Sequence, residues 1–352
     1  MKKKVLAMAI ASLMLVGLIG CGSKSESSVS LKVGMVTNSG TIDDQSFNQG
    51  TWEGLKEADK KLKTDSNYMQ PTSETESEYL TEIQNLYDSG HKFILLPGYK
   101  FEKAAYVAQN KYPDANFVII DGSPTDNNGN VLVAKNTAAI YFAEEQAGFV
   151  AAVAASVQLK EGEFGFMGGM KIPSVQRFSV GFQQGIEYAN KNYGTNISLK
   201  QENIVYAGSF SDTALGQQIA ASMYDNGVKA IFSAAGDLGS AVITEAKSRV
   251  VKGNEVWAIG VDSDQYNDGI YESNKSVVLT SAVKKINEAA YQMVEKQLKG
   301  EFPGGETITF NASNDGVGIP EKNPNLSDDS VAKANEVLEL IKNGTIQVKS
   351  QV

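Results

Sequence analysis

One cysteine and one histidine occur in 352 residues. A lone cysteine cannot close an intrachain disulfide. With no second histidine or thiol there is also no ligand set for zinc or haem and no Cys–His pair for nucleophilic catalysis. Loops that cradle phosphate are missing, since neither GxxxxGK[ST] nor GxGxxG after a strand occurs. The GxSxG turn of serine hydrolases is absent too. Basic residues are the minority, with 32 Lys and Arg against 41 Asp and Glu. An acidic chain of mixed charge argues against nucleic acid as a partner. The one histidine, His91, lies in DSGHKF before an apolar run and reads as a surface turn residue.

The chain opens with three lysines, Lys2 to Lys4, then fifteen uncharged residues from Val5 to Ile19, then Gly20 and Cys21. This is the three-part layout of a secretory signal, and the run is shorter than the ~18–20 residues a spanning helix needs. Leu18-Ile19-Gly20-Cys21 resembles the bacterial lipoprotein signal. That resemblance implies cleavage after residue 20 and lipid on Cys21, which would hold the protein at the extracytoplasmic face of a bacterial cell membrane. Residues 21–30 begin a polar, small-residue stretch with the composition of a flexible tether, and the folded body is expected from Leu31. Loss of the three lysines moves the formal charge from −9 to −12. About 320 residues remain, large for one domain, so two lobes are expected.

Short apolar runs alternate with helical patterns along the rest of the chain: 31–36, 92–97, 116–120, 131–134, 163–168, 203–207, 229–233, 255–261 and 276–281. Several are apolar at consecutive positions, as in strands covered on both faces. Helical patterns between them include 77–89, 101–111, 141–158, 174–191, 212–226 and 284–299. Strand–helix alternation predicts an α/β fold with parallel sheets and right-handed crossovers. In such sheets ligands bind at the carboxyl ends of the strands. The residues there are small, with Asp, Asn and Phe recurring, an inventory for binding more than for catalysis.

The stretch VTNSGTIDDQSFNQGTWEGL (36–55) contains an acidic pair, Asp43-Asp44, before a helical pattern. A Ca²⁺ site wants six to eight oxygens, and no further carboxylates lie near in sequence. Carboxylates before a helix favour its positive end, and Ser46-x-x-Gln49 fits a capping box, so the pair is expected to cap. Phe47 serves either the core or the floor of a cleft, and spacing does not choose between them. Asp262 in GVDSDQYNDG and Lys284 follow neighbouring apolar runs. A carboxylate and an ammonium so placed could hold a vicinal diol, one accepting and the other donating.

Taken together, VTNSGTIDDQSFNQGTWEGL, FVIIDG, YFAEEQAGFVAAVAA, FGFMGGMKIPSVQRFSVGFQQGIEYAN, GSFSD, FSAAGDLGSAV, AIGVDSDQ and LTSAVKK resemble the basic membrane protein (BMP) family of substrate-binding lipoproteins, with purine nucleoside receptor A (PnrA) lipoproteins among its members. The likeness spans about residues 31–310. It implies a type I periplasmic-binding-protein fold: two Rossmann-like lobes with parallel sheets, joined by a three-crossing hinge. The lobes are expected at 31–137 plus 263–300 and at 138–262 plus 301–352. It implies a nucleoside ligand, delivery to the permease and ATPase subunits of an ABC importer, no cofactor or metal, and no catalysis. Carried over by motif, Phe47 and Phe210 would sandwich a base, while Asp121, Asp262 and Lys284 would take polar edges. Asn38, Asn48, Phe182 and Gly236 complete the expected pocket. Asn38 stands where many relatives carry aspartate, and Gly236-Asp237 departs from the family's AAGG, so base preference is left open. Two other classes stay in view: a sensing or adhesive surface lipoprotein, and a nucleoside hydrolase built on Asp43 and Asp44.

Overall fold

A computed structural model of the chain describes residues 30–38 and 40–351, so the expected signal segment, Cys21 and nearly all of the tether lie outside the described residues. In chain order the first elements are β1 (Lys32–Val36), α1 (Phe47–Leu62), β2 (Asp65–Met69), α2 (Glu76–Asp88), β3 (Phe93–Pro97), α3 (Glu102–Lys111), β4 (Asn116–Ile120) and β5 (Thr137–Phe142). Next come α4 (Glu144–Leu159), β6 (Glu161–Gly168), α5 (Pro173–Tyr193), β7 (Asn196–Ser198), β8 (Ile204–Tyr206), α6 (Thr213–Asp225), β9 (Val228–Ala234), α7 (Asp237–Val251) and β10 (Trp257–Asp262). A small hairpin, β11 (Ile270–Glu272) and β12 (Lys275–Ser276), leads into β13 (Val278–Lys284). The chain closes with α8 (Ile286–Lys299), β14 (Thr307–Phe310), β15 (Val317–Gly318) and α9 (Asp328–Lys342).

Two sheets result. The first runs β14-β5-β4-β3-β1-β2 with every pair parallel. The second runs β15-β13-β10-β9-β6-β7, with β8 also on β6, and is parallel except for β15. The chain passes between sheets three times, from β5 into α4, from β13 into α8, and from β14 to β15. Strands such as β3, buried at all five positions, are the consecutive apolar runs of the sequence, and helices cover both their faces.

Strand membership corrects the expected lobe boundaries. Residues 278–284, expected in the first lobe, form β13 of the second sheet, and Thr307–Phe310, expected in the second, pair with β5 of the first. Residues 131–134 are not a strand; only Val131 makes an isolated bridge to Thr125. Val131 and Leu132 are 61% and 53% exposed, whereas the unremarkable run Thr137–Phe142 is the buried strand. Alanines at 138 and 139 suit a strand pressed by helices on both sides, though they read as helix formers. His91 is another correction: it is buried, its Nδ1 lying 3.0 Å from Ser89 Oγ and 3.3 Å from the Leu86 carbonyl. Among the described residues no helix is long and apolar enough to cross a membrane.

Helices α4 and α5 pack face to face in the second lobe. α4 is apolar nearly all round and buried from Ala147 to Val157, as expected of a helix enclosed by others. Contact with α5 is close because glycines line it. A Cβ at Gly181 would meet the Glu145 carbonyl at 1.9 Å, and one at Gly185 would meet the Phe149 carbonyl at 2.4 Å. Backbone cannot yield as a side-chain tip can. Gly181→Ala is therefore expected to destabilise the fold by about 1–3 kcal/mol, read as a lower midpoint in urea denaturation with an unchanged slope.

Candidate functional site

The carboxyl ends of both sheets face a cleft with about 800 Å³ of empty space, counting its open mouth. That lies within the ~300–1,000 Å³ range of small-molecule sites. Asn38, Phe47, Asn48, Asp121, Phe210, Gly236, Asp262 and Lys284 all line it. Phe182 does not. It is fully buried, stacked 6.1 Å from Phe164 and tilted against Phe232 at 5.0 Å, so the expectation that it faces the pocket is corrected. Phe178 takes that place, one turn nearer the start of α5 and edge-on to Phe232. Positions i and i+4 share a helix face; only the distance to the strand ends separates them.

Where the sheets converge, Lys284 ends β13 with its side chain 1% exposed. Its ammonium donates to Asp121 Oδ2 and, at 2.9 Å, to Glu144 Oε1. Glu144 in turn accepts from Arg177 Nε at 2.6 Å. Asp262 Oδ2 accepts from Ser46 Oγ at 2.5 Å. Two cations thus face three carboxylates. Burial pushes the Asp121 carboxyl up to about 6, offset in part by the Lys284 ammonium. Asp262 is raised chiefly by burial as well. For Lys284, burial works against the charge, but Asp121, Glu144 and Asp262 together hold its pKa above the ordinary lysine range. Asp121 Oδ1 is enclosed and has no hydrogen-bond partner among the described residues, so one acceptor of this lining residue is left unfilled.

Asp121 and Asp262 share a backbone feature, with φ of +59° and +63°. Each stands at the end of a strand, one per sheet. Aspartate tolerates this left-handed region better than most residues, and such strain collects at functional sites. Gly236, with φ +58°, precedes α7 and brings its backbone against Phe210; a Cβ there would sit 3.2 Å from the Phe210 carbonyl. Phe47 opens α1 from the opposite lobe, and the Lys284 ammonium lies 4.9 Å from its ring centroid. The half-buried ring belongs to the wall of the cleft and also packs against the core.

The acidic pair divides. Asp44 accepts from the backbone N–H of Ser46, Asn48 and Gln49 at 2.9–3.0 Å and from Asn48 Nδ2 at 2.7 Å. Asp44, and not Ser46, satisfies the start of α1, since the Ser46 hydroxyl turns to Asp262. Gln49 Oε1 accepts from Gln45 N–H instead of closing a box on Ser46. Asn38 donates to the Pro97 carbonyl at 2.7 Å, while its Oδ1 accepts from Gly40 N–H and Asn48 Nδ2. It pins the end of β1 to β3 and α1. Asn48, 1% exposed, is spent in the same scaffold.

Gln45, with φ +55°, spans the lobes. Its carbonyl accepts from Gln265 Nε2 at 3.2 Å and Ser263 Oγ at 3.4 Å, and its Oε1 accepts from Ser240 Oγ at 3.3 Å. Sequence reasoning did not single out Gln45, Glu144, Arg177 or Phe178. A signal for Glu144 was present: two acidic residues entering a helix that is otherwise uncharged and rich in Ala and Val.

Removal of the shared cation leaves three buried carboxylates against one guanidinium. Lys284→Met is expected to cost about 3–5 kcal/mol, measured by denaturant titration at pH 7. The raised Asp121 carboxyl also sets a pH trend. Folding takes up a proton between the unfolded value of ~3.9 and about 6, so this group's contribution to stability is full below ~4 and is lost as pH rises to 6. The stability difference between wild type and Asp121→Asn should decline across that window and level off above it.

The family described as "ABC transporter substrate-binding protein PnrA-like" matches residues 31–352. The chain is 35% identical to the "CD4+ T-cell-stimulating antigen" of Listeria monocytogenes, with 99% of each chain covered. It is likewise 35% identical to the "ABC transporter nucleoside-binding protein BmpA" of Lactococcus lactis subsp. cremoris, over 95% of this chain and 96% of that one. Among solved structures, an ABC transporter solute-binding protein from Aeropyrum pernix K1 superposes with a TM-score of 0.75 at 21% identity, covering 90% of this chain and 92% of that one.

Proposed function

This chain belongs to the Bmp family of PnrA-like ABC transporter substrate-binding proteins, and on that premise we propose that it captures nucleosides, purine nucleosides foremost, between its two lobes. Members of this family bind a small solute for a transporter and do no chemistry on it. Delivery would be to the permease and ATPase of an ABC importer. A lipid on Cys21 would keep the protein at the outer face of the cell membrane, with residues 21–30 as its tether.

The observation that carries the nucleoside reading is the pairing of aromatic walls with a surplus of buried acceptors. Phe47 and Phe210 line one cleft from different lobes, and the Asp121 and Asp262 carboxylates line it with them. A flat heterocycle stacks on such rings, each aromatic pair adding about 0.5–1.5 kcal/mol beyond area burial. A ribose brings vicinal hydroxyls that donate to Asp121 and Asp262 and accept from Lys284. Sugars alone would use the carboxylates but leave the rings without a flat partner. The name of the Lactococcus relative, which shares 35% of its residues with this chain, supports the same ligand class.

Isothermal titration of the purified protein with guanosine, inosine, adenosine, cytidine and uridine tests the proposal. Micromolar or tighter binding of at least one is expected, and Phe210→Ala should weaken it more than tenfold. Absence of binding to all five nucleosides would refute the reading.

A further inference from the structure

The hinge end of the cleft is supplied with charge, but the far end poses a separate question: what reads the base? Its polar side chains are mostly committed to the protein. Asn38 and Asn48 bond each other, Pro97 and Gly40, and Asp44 accepts four hydrogen bonds from the start of α1. Four carboxylates line the cavity, those of Asp44, Asp121, Asp237 and Asp262. Asp44 caps α1, Asp121 bonds Lys284 and Asp262 bonds Ser46. The Asp237 side chain has no hydrogen bond and no ion pair among the described residues, although it is half-buried.

Asp237 is also placed to meet a stacked ring. It opens α7 directly after Gly236, where an added Cβ would meet the Phe210 carbonyl and side chain at 3.2–3.6 Å. The carboxylate therefore sits one residue from the aromatic wall, on the lobe opposite Asn38. Burial, then the nearby Asp44 and Asp43 carboxylates, raise its pKa, so N–H donors brought against this group would stabilise its charged, accepting form.

We propose that Asp237 is the residue that determines base specificity, accepting with its two oxygens from adjacent N–H donors on the base edge, the pattern presented by N1–H and the 2-amino group of guanine. The proposal rests on the nucleoside reading and refines it. A carboxylate can only accept, and two parallel N–H bonds to its oxygens form a charge-assisted fork. Hypoxanthine offers one of the two donors and adenine offers an acceptor at N1. A site built around such a fork rejects analogues that leave its buried oxygens unpaired. Asn38, by contrast, holds the end of β1 and contributes shape more than choice.

The test compares guanosine with inosine, which differs only by the 2-amino group, on wild type and Asp237→Asn by isothermal titration. Wild type should favour guanosine by about tenfold or more, and Asp237→Asn should lose most of that ratio while its inosine affinity changes less than threefold. An unchanged ratio in the variant overturns the assignment and leaves the nucleoside reading intact. A wild-type protein that binds the two equally overturns it too, without recourse to the variant. Failure of wild type to bind any nucleoside overturns both.

Discussion

The Lys284 ammonium lies where both sheets end, and it ties together elements far apart in the chain. Asp121 comes from the first sheet, Glu144 from the helix just past the first crossing, and Lys284 itself stands just before the second. In a buried setting an unpaired charge is untenable, so these groups oblige the crossings to assemble in one arrangement. Ion pairs of this kind bring little net stability when weighed against apolar packing. What they supply here is position: the hinge strands meet with a carboxylate from each sheet aimed at the same space. The ligand cleft inherits its polarity from that geometry.

Closure has a further set of contacts, one of which ends on Asp262 of the charge cluster. Gln45 and Ser46 reach from the loop before α1 to Ser240, Asp262, Ser263 and Gln265 on the other lobe. None of these bonds needs a buried charge at both ends, so each is individually weak enough to break and reform as lobes part. Strong pairing at the hinge and weaker pairing at the lip suit a protein that must both hold a solute and release it. Placing the strained φ angles at Gln45, Asp121 and Asp262 on this same surface is consistent with function drawing on local strain.

Much of the scaffold was legible in the sequence because apolar runs buried on both faces leave an unmistakable trace. β3 fills all but the first residue of the run at 92–97, and β4 coincides with the run at 116–120. Edge strands left little: β2, DSNYM, is polar and only half-buried, and β14 sits at the other edge. The last two residues of β5 fall in the helical pattern expected over 141–158, and Val131-Leu132 reads as a strand though it lies on the surface, because burial and not composition decides which apolar residues pair. His91 failed for the same reason. In the site, strand-end aspartates and the lysine could be named from position alone. Phe182 could not be told from Phe178, since both occupy the same stripe of α5 and only tertiary placement decides which ring meets the cleft.

The sequence by itself determined the classes of chemistry open to this protein. One histidine and one cysteine leave no Cys–His pair and no zinc or haem ligand set, alternating strand and helix patterns point to parallel sheets, and loops rich in Asp, Asn and Phe at the strand ends suit binding more than catalysis. These follow from local composition and periodicity, which the chain cannot change on folding. Only the tertiary structure decided how those residues divide their work. Whether Asn38, Asp44 and Asp237 hold the scaffold or face a ligand depends on which hydrogen bonds the fold has already filled, and that accounting exists only once strands distant in sequence lie side by side.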